Sequence, residues 1–111
     1  DVVSTISAFM EAEELSAESV DTLFLHQANK FMNDKIAKKL GFTRDQLPYS
    51  IQTYGNTGSA SIPLTMAVHF AGGGGSNAPH RSVMSGFGVG LSWGVVSAEL
   101  TGIYAPPIVE V

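Results

Sequence analysis

Leu23-Phe24-Leu25-His26-Gln27-Ala28-Asn29 is the stretch that decides the fold: an apolar run stops at an imidazole, and helical spacing begins at once. Leu23, Phe24 and Leu25 have the short, wholly apolar look of a strand buried on both faces. From Ala28 the apolar residues fall at positions 28, 31, 32, 36, 37 and 40, the period of an amphipathic helix. His26 is therefore expected at the carboxyl end of a strand and beside a helix amino terminus, where open α/β sheets place their ligand chemistry. A neutral imidazole there has one N–H to donate. The alternative is a core histidine satisfied by a backbone carbonyl, and spacing alone does not separate the two.

Upstream, residues 1–14 place Val2, Val3, Ile6, Phe9 and Met10 on one face of a helix. Glu11, Glu13 and Glu14 crowd its end, where the helix dipole makes acids unfavourable, so the helix is expected to fray there. Ser16 is placed to cap a short turn through Glu18.

Downstream of the long helix, Gly41 suits a left-handed C-terminal cap. Thr43-Arg44-Asp45-Gln46 reads as a capping box opening one more short turn, which Pro48 ends. Residues 49–54 (Tyr-Ser-Ile-Gln-Thr-Tyr) are a strand candidate. The small residues of Gly55-Asn56-Thr57-Gly58-Ser59-Ala60-Ser61 let the backbone approach something closely. Thr57, Ser59 and Ser61 each offer a cap for a third helix running to about Phe70, with Pro63 near its first turn. Gly72 to Gly75 reads as a flexible loop rather than a phosphate cradle, since no Lys-Ser or Lys-Thr follows it. Ser82–Ser85 is read as a strand, Gly86-Phe87-Gly88-Val89-Gly90 as a glycine-rich turn, and 91–100 as a second strand antiparallel to the first. The order predicts an α/β layered domain with a mixed sheet.

Composition narrows the function classes. The 111 residues are 44% hydrophobic and only 14% charged, so the chain has the means to build one core, and the composition argues against disorder. A net charge of −4 argues against a general nucleic-acid binder. The absence of cysteine removes disulfides, thiolate metal sites and thiol nucleophiles from this chain. No apolar run reaches the roughly 18 residues of a spanning helix. His69 and His80 have no partner at zinc-like spacing and read as structural or surface residues. The low charge also hints at surface that a partner covers.

Three stretches in this order carry a resemblance: His26-Gln27-Ala28-Asn29; Gly55-Asn56-Thr57 with Ser59-Ala60-Ser61; and Gly86-Phe87-Gly88-Val89-Gly90 with Ser92-Trp93-Gly94. Together they resemble the carboxy-terminal half of the 3-oxoacyl-ACP synthase III family, condensing enzymes of thiolase-like fold, from the first helix to about Leu100. The resemblance implies that residues 1–111 form a carboxy-terminal domain whose amino-terminal, cysteine-bearing half is absent. It implies a Cys, His, Asn active site in which His26 and Asn56 are the catalytic histidine and asparagine. Asn29 then contacts the pantetheine arm, and the Phe87-Gly88-Val89 turn lines the pocket and lends an oxyanion-hole N–H. Asn56 also has a purely conformational reading, since Gly-Asn-Thr is good turn chemistry by itself.

The implied reaction is a decarboxylative Claisen condensation of an acyl thioester with malonyl-ACP. No metal or cofactor is implied, because the substrates ride on CoA or on the phosphopantetheine of acyl carrier protein. A cytoplasmic homodimer is implied, and the chain alone is expected to be inactive and to self-associate through an exposed apolar face. Phe31 departs from the pattern, where the family usually has an arginine associated with carrier docking. Lys30, Lys35, Lys38 and Lys39 lie on the same helix, with Lys30 the candidate heir to that docking role; a solvated face held by an Asp34–Lys38 pair is the plainer reading. Two other functions stay open: a non-catalytic half-synthase that binds or dimerises, and an acyltransferase of specialised metabolism on the same fold.

Overall fold

The computed structural model describes residues 2–71, 80–88, 92–101 and 108–109. The elements run α1 (Val2–Ala12), β1 (Thr22–Leu25), α2 (Lys30–Leu40), α3 (Ile51–Tyr54), α4 (Ser61–Phe70), β2 (His80–Gly88) and β3 (Ser92–Leu100), with single 3-10 turns at Ala17–Ser19, Arg44–Gln46 and Gly58–Ala60.

The three strands form one mixed sheet in the order β1-β2-β3. β1 is parallel to β2, with Leu23 opposite Val83 and Leu25 opposite Ser85. β2 is antiparallel to β3, with Val83 opposite Ser97 and Phe87 opposite Trp93. Strand residues alternate faces, so this register sorts the side chains. Leu23, Leu25 and Val83 join a core with Ile6 and Met10 of α1 and Ile36 and Ala37 of α2. Phe24 points the other way, edge-on to His69 and tilted against Phe70 of α4. Helices therefore cover both faces of β1, which is why all four of its residues are buried. Truncating Leu23 or Leu25 to alanine in such a position costs about 2–5 kcal/mol. α4 lies over β1 and β2, where Ile62 comes within 3.9 Å of the place a Cβ on Gly86 would occupy. Val96 on β3, on the same face, is 57% exposed.

Local chemistry sets most boundaries. α1 stops at Ala12, and Glu14 adopts φ +56°, so the acidic end turns out of the helix as its charge favours. Ser16 caps the next turn through a reciprocal pair with Ser19. Gly41 ends α2 in the left-handed region at φ +85°, returning its N–H to Ala37 and Lys38 carbonyls. Thr43 N–H donates to Gln46 Oε1 at 2.8 Å, and Gln46 Nε2 then donates to Ala17 and Val20 carbonyls, tying this turn to the entry of β1.

Four expectations are corrected. The helix after β1 begins at Lys30 rather than Ala28, because Asn29 Oδ1 accepts the Met32 N–H as its N-cap. Residues 51–54 are a single helical turn and not part of a strand: Gln27 Oε1 takes the N–H groups of Ser50 and Ile51, and Tyr54 N–H bonds back to Ser50 O, so no edge remains to pair. None of Thr57, Ser59 or Ser61 caps α4, because the 3-10 turn at Gly58–Ala60 runs straight into it and Ser61 is already helical. Gly86, Phe87 and Gly88 belong to β2, where pairing to β3 extends the strand three residues past Ser85. Val89, Gly90 and Leu91, together with the Gly72–Gly75 run, lie outside the described residues.

Candidate active site

His26 is the first residue beyond β1, and its backbone is held from both sides. Its N–H continues the ladder to Ser85 O at 3.0 Å, and its carbonyl accepts from Asn33 Nδ2 of α2 at 3.1 Å. The ring lies edge-on to Phe87 of β2, with centroids 5.4 Å apart and planes at 76°. Its Nδ1 is 2.8 Å from Ser61 Oγ at the start of α4. That oxygen also accepts the Gln27 N–H at 3.2 Å. Nε2 has no partner among the described residues.

Gln27 is fully buried and binds the two halves of the site together. Its Nε2 donates to Leu25 O at 2.8 Å, and its Oε1 accepts from Ser50 and Ile51. α3 is thereby clamped to the end of β1, and Gly55 follows at φ +71° and ψ −158°, a conformation that L side chains rarely adopt. The chain then presents Asn56, whose Oδ1 accepts the Gly58 N–H at 3.0 Å. Because an N–H must meet the oxygen, the amide orientation is fixed and Asn56 Nδ2 is left to donate.

These side chains line one cavity of about 450 Å³, walled by His26, Asn56, Ser61, Ile62, Phe87 and Gly88 among others. No Lys, Arg, Asp or Glu lines it among the described residues. The arrangement brings an imidazole and an amide NH2 together in a mostly apolar setting without charged side chains, a combination suited to an oxygen on which charge develops. Among the described residues, no cluster of three His, Asp or Glu side chains could hold a metal ion.

Of the residues singled out from the sequence, His26, Asn56, Phe87 and Gly88 meet in this cavity. Val89 lies outside the described residues. Asn29 is exposed and caps α2, and it does not line the cavity. Lys30 Nζ is 3.3 Å from Asp34 Oδ2 and 5.0 Å from the centre of the Tyr49 ring, so the ion pair on this helix is Lys30–Asp34 rather than Asp34–Lys38. The Tyr49 hydroxyl donates to Asp34 and holds its carboxyl below the ordinary 3.8, with Lys30 adding to the effect and partial burial opposing it. Burial, and then the Asp34 carboxylate, push the Tyr49 phenol up. Phe31 is 71% exposed, with Lys35 Nζ 5.2 Å from its ring centre. The holding roles of Gln27 and Ser61 were not foreseen. A glutamine beside a site histidine reads as polar surface until its burial is known, and Ser61 looked like a cap.

Residues 10–100 match the family described as 3-Oxoacyl-[acyl-carrier-protein (ACP)] synthase III C terminal, and the chain belongs to that family. It is 44% identical over 101 residues to the beta-ketoacyl-[acyl-carrier-protein] synthase III of Lactococcus lactis subsp. cremoris, an alignment covering 90% of this chain and 31% of that protein. It is 45% identical over 97 residues to the enzyme of the same description from Streptococcus sanguinis, covering 86% of this chain and 30% of the relative. Among solved structures, the 3-oxoacyl-(acyl-carrier protein) synthase from Burkholderia xenovorans superposes with a TM-score of 0.88 at 31% identity, covering 96% of this chain and 31% of that one. The 3-oxoacyl-[acyl-carrier-protein] synthase III from Aquifex aeolicus gives a TM-score of 0.82 at 28% identity, covering 89% and 32%. The chain thus spans about a third of the length of the relatives it matches.

Proposed function

We propose that this chain is the carboxy-terminal, His- and Asn-bearing domain of a cytoplasmic condensing enzyme that joins an acyl thioester to malonyl-ACP in fatty acid or related biosynthesis. The observation that carries the reading is that His26 and Asn56, 30 positions apart in sequence, line one uncharged cavity, with His26 Nε2 unpartnered among the described residues and Asn56 Nδ2 left to donate.

The chemistry assigned to the two residues follows from those donors. An amino-terminal region, of the kind that fills the rest of each relative's length, supplies a cysteine whose sulfur takes the acyl group from acyl-CoA as a thioester, with the acyl–CoA bond broken and CoA leaving as the thiol with the cysteine's proton. Malonyl-ACP then loses carbon dioxide by breaking its carboxylate C–C bond, and the electron pair moves onto the thioester oxygen as an enolate. His26 Nε2–H and Asn56 Nδ2–H hydrogen-bond that oxygen, each such donor being worth about 3–4 kcal/mol at the transition state. Neutral donors suit this step, because a full positive charge would also stabilise the starting carboxylate and so raise no rate. The enolate carbon attacks the acyl thioester, and collapse expels the cysteine thiolate and leaves the 3-oxoacyl-ACP.

In this reading the Phe87-Gly88-Val89 segment lines the pocket and lends a backbone N–H to the oxyanion of the second step. Asn29 keeps an amide NH2 at the exposed start of α2 for the pantetheine arm, since only its oxygen caps the helix. A carrier-docking role for Lys30 requires its ammonium to leave Asp34.

The test is product analysis. The chain, joined to the amino-terminal region of the Lactococcus lactis relative, is given acyl-CoA and malonyl-ACP. A 3-oxoacyl-ACP two carbons longer than the acyl donor supports condensation. Acyl transfer without carbon–carbon bond formation would favour an acyltransferase, and no turnover of either kind would favour a binding module.

A further inference from the structure

We propose that Ser61 is a positioning residue: its hydroxyl donates to His26 Nδ1 and so holds the neutral ring as the tautomer with its proton on Nε2, the nitrogen left for the cavity. The assignment deepens the reading above and rests on it for its functional meaning, but the hydrogen-bond count supports it independently. Ser61 Oγ is buried and has two recorded partners among the described residues, the Gln27 N–H at 3.2 Å and His26 Nδ1 at 2.8 Å. Gln27 N–H is a donor only, so it occupies an oxygen lone pair and leaves the serine hydrogen unused. If His26 Nδ1 were protonated, the oxygen would accept twice and its own hydrogen would be buried without an acceptor, which costs more than a bond is worth. Donation from Ser61 to Nδ1 satisfies every group with one arrangement.

The fold makes that arrangement rigid. Ser61 is the first residue of α4, and its carbonyl accepts Thr65 Oγ1 at 2.7 Å. Thr65 Oγ1 in turn lies 2.7 Å from Ser50 Oγ, beside the N–H groups that Gln27 holds. The serine is therefore fixed by buried bonds on three sides, while the His26 ring it holds packs at 76° against Phe87 and lines the cavity. The second ring nitrogen of a site histidine often sets which tautomer the first presents. Here a side-chain hydroxyl from another element takes that position, in place of the backbone carbonyl expected for a merely structural histidine.

The test is long-range proton–nitrogen NMR of the 15N-labelled 111-residue chain, at a pH well above the ordinary histidine value of about 6.5. The wild-type chain is expected to show His26 with a bare Nδ1 and a protonated Nε2. Ser61→Ala is expected to move the tautomer ratio about five- to tenfold toward Nδ1–H, the equivalent of one ordinary hydrogen bond. Ser61→Thr, which keeps the hydroxyl, is expected to restore the wild-type ratio. A wild-type His26 carrying its proton on Nδ1 overturns the proposal, and so does an unchanged ratio in a folded Ser61→Ala chain. Should Ser61→Ala fail to fold, the wild-type and Ser61→Thr spectra still decide. No substrate is present, so an Nε2–H tautomer in a chain whose full-length enzyme proves inactive would count against the condensing chemistry and leave the Ser61 assignment standing.

Discussion

Gln27 Oε1 accepts the backbone N–H of Ser50 at 3.0 Å, across 23 residues of sequence, and this bond joins the strand that carries His26 to the turn that leads to Asn56. The neighbouring Ile51 N–H shares the same oxygen at 3.2 Å, and Gln27 Nε2 is spent on Leu25 O. The spacing of His26 and Asn56 therefore depends on a side chain that is fully buried and does not line the cavity.

Gln27→Leu keeps the volume and removes all three bonds, leaving the Ser50 and Ile51 N–H groups and the Leu25 carbonyl without that partner. It is expected to lower the stability of the chain by about 2–4 kcal/mol, read by urea denaturation. Amide exchange at Ser50 and Ile51 should rise together. Unchanged exchange at both would show that the clamp is not what holds α3.

Gly41→Ala isolates backbone conformation. A Cβ there meets only Ala17 Cβ at 3.8 Å, an ordinary contact, but the backbone sits at φ +85°. The expected cost is about 1–2 kcal/mol from the left-handed penalty alone, measured by thermal or urea unfolding. Gly41→Asn, which tolerates that region, should cost less.

Stability is expected to fall as pH drops through the histidine range. Burial, and then the charge of His80, hold His69 below its ordinary 6.5, where it lies edge-on to Phe24 and Phe70. A folded-state pKa below the unfolded one gives stability that is complete above about pH 6.5 and is lost as pH falls toward the folded value. The melting temperature should therefore decline on acidification from neutral pH, and His69→Phe should flatten that decline.

Asp34 acts in a lower window with the same sign. Its carboxyl is held below 3.8, first by the Tyr49 hydroxyl and then by Lys30, so its contribution persists above that value and fades below it. Tyr49→Phe is expected to return the Asp34 titration toward its ordinary value, followed by carboxyl NMR shifts, with little effect on unfolding at neutral pH because the pair is only part-buried and Asp34 keeps its Lys30 partner.

Where local chemistry decides, the sequence was legible. The β1 run, the Gly41 cap and the Thr43–Gln46 capping box depend on residues within a few positions of one another, and each forms as its side chains require. The segment at 49–54 was misread because its fate is set by Gln27 from afar. The reach of β2 through Gly88 depends on β3, since glycines that look like a turn locally become strand when a partner pairs with them. In the site, His26 and Asn56 stood out because their residue types carry chemistry. Ser61 and Gln27 did not, because burial turns ordinary polar residues into fixed hydrogen-bond partners, and burial has no signature in a short polar stretch.

The measurement that tests the account most directly is the rate of carbon dioxide release from malonyl-ACP by a full-length enzyme carrying this chain, compared with its His26→Ala and Asn56→Ala forms. Each substitution is expected to lower that rate about 10²- to 10³-fold, with the fold intact by circular dichroism. Release that persists at the unsubstituted rate in both forms would contradict the assignment of these two residues as the donors that stabilise the enolate.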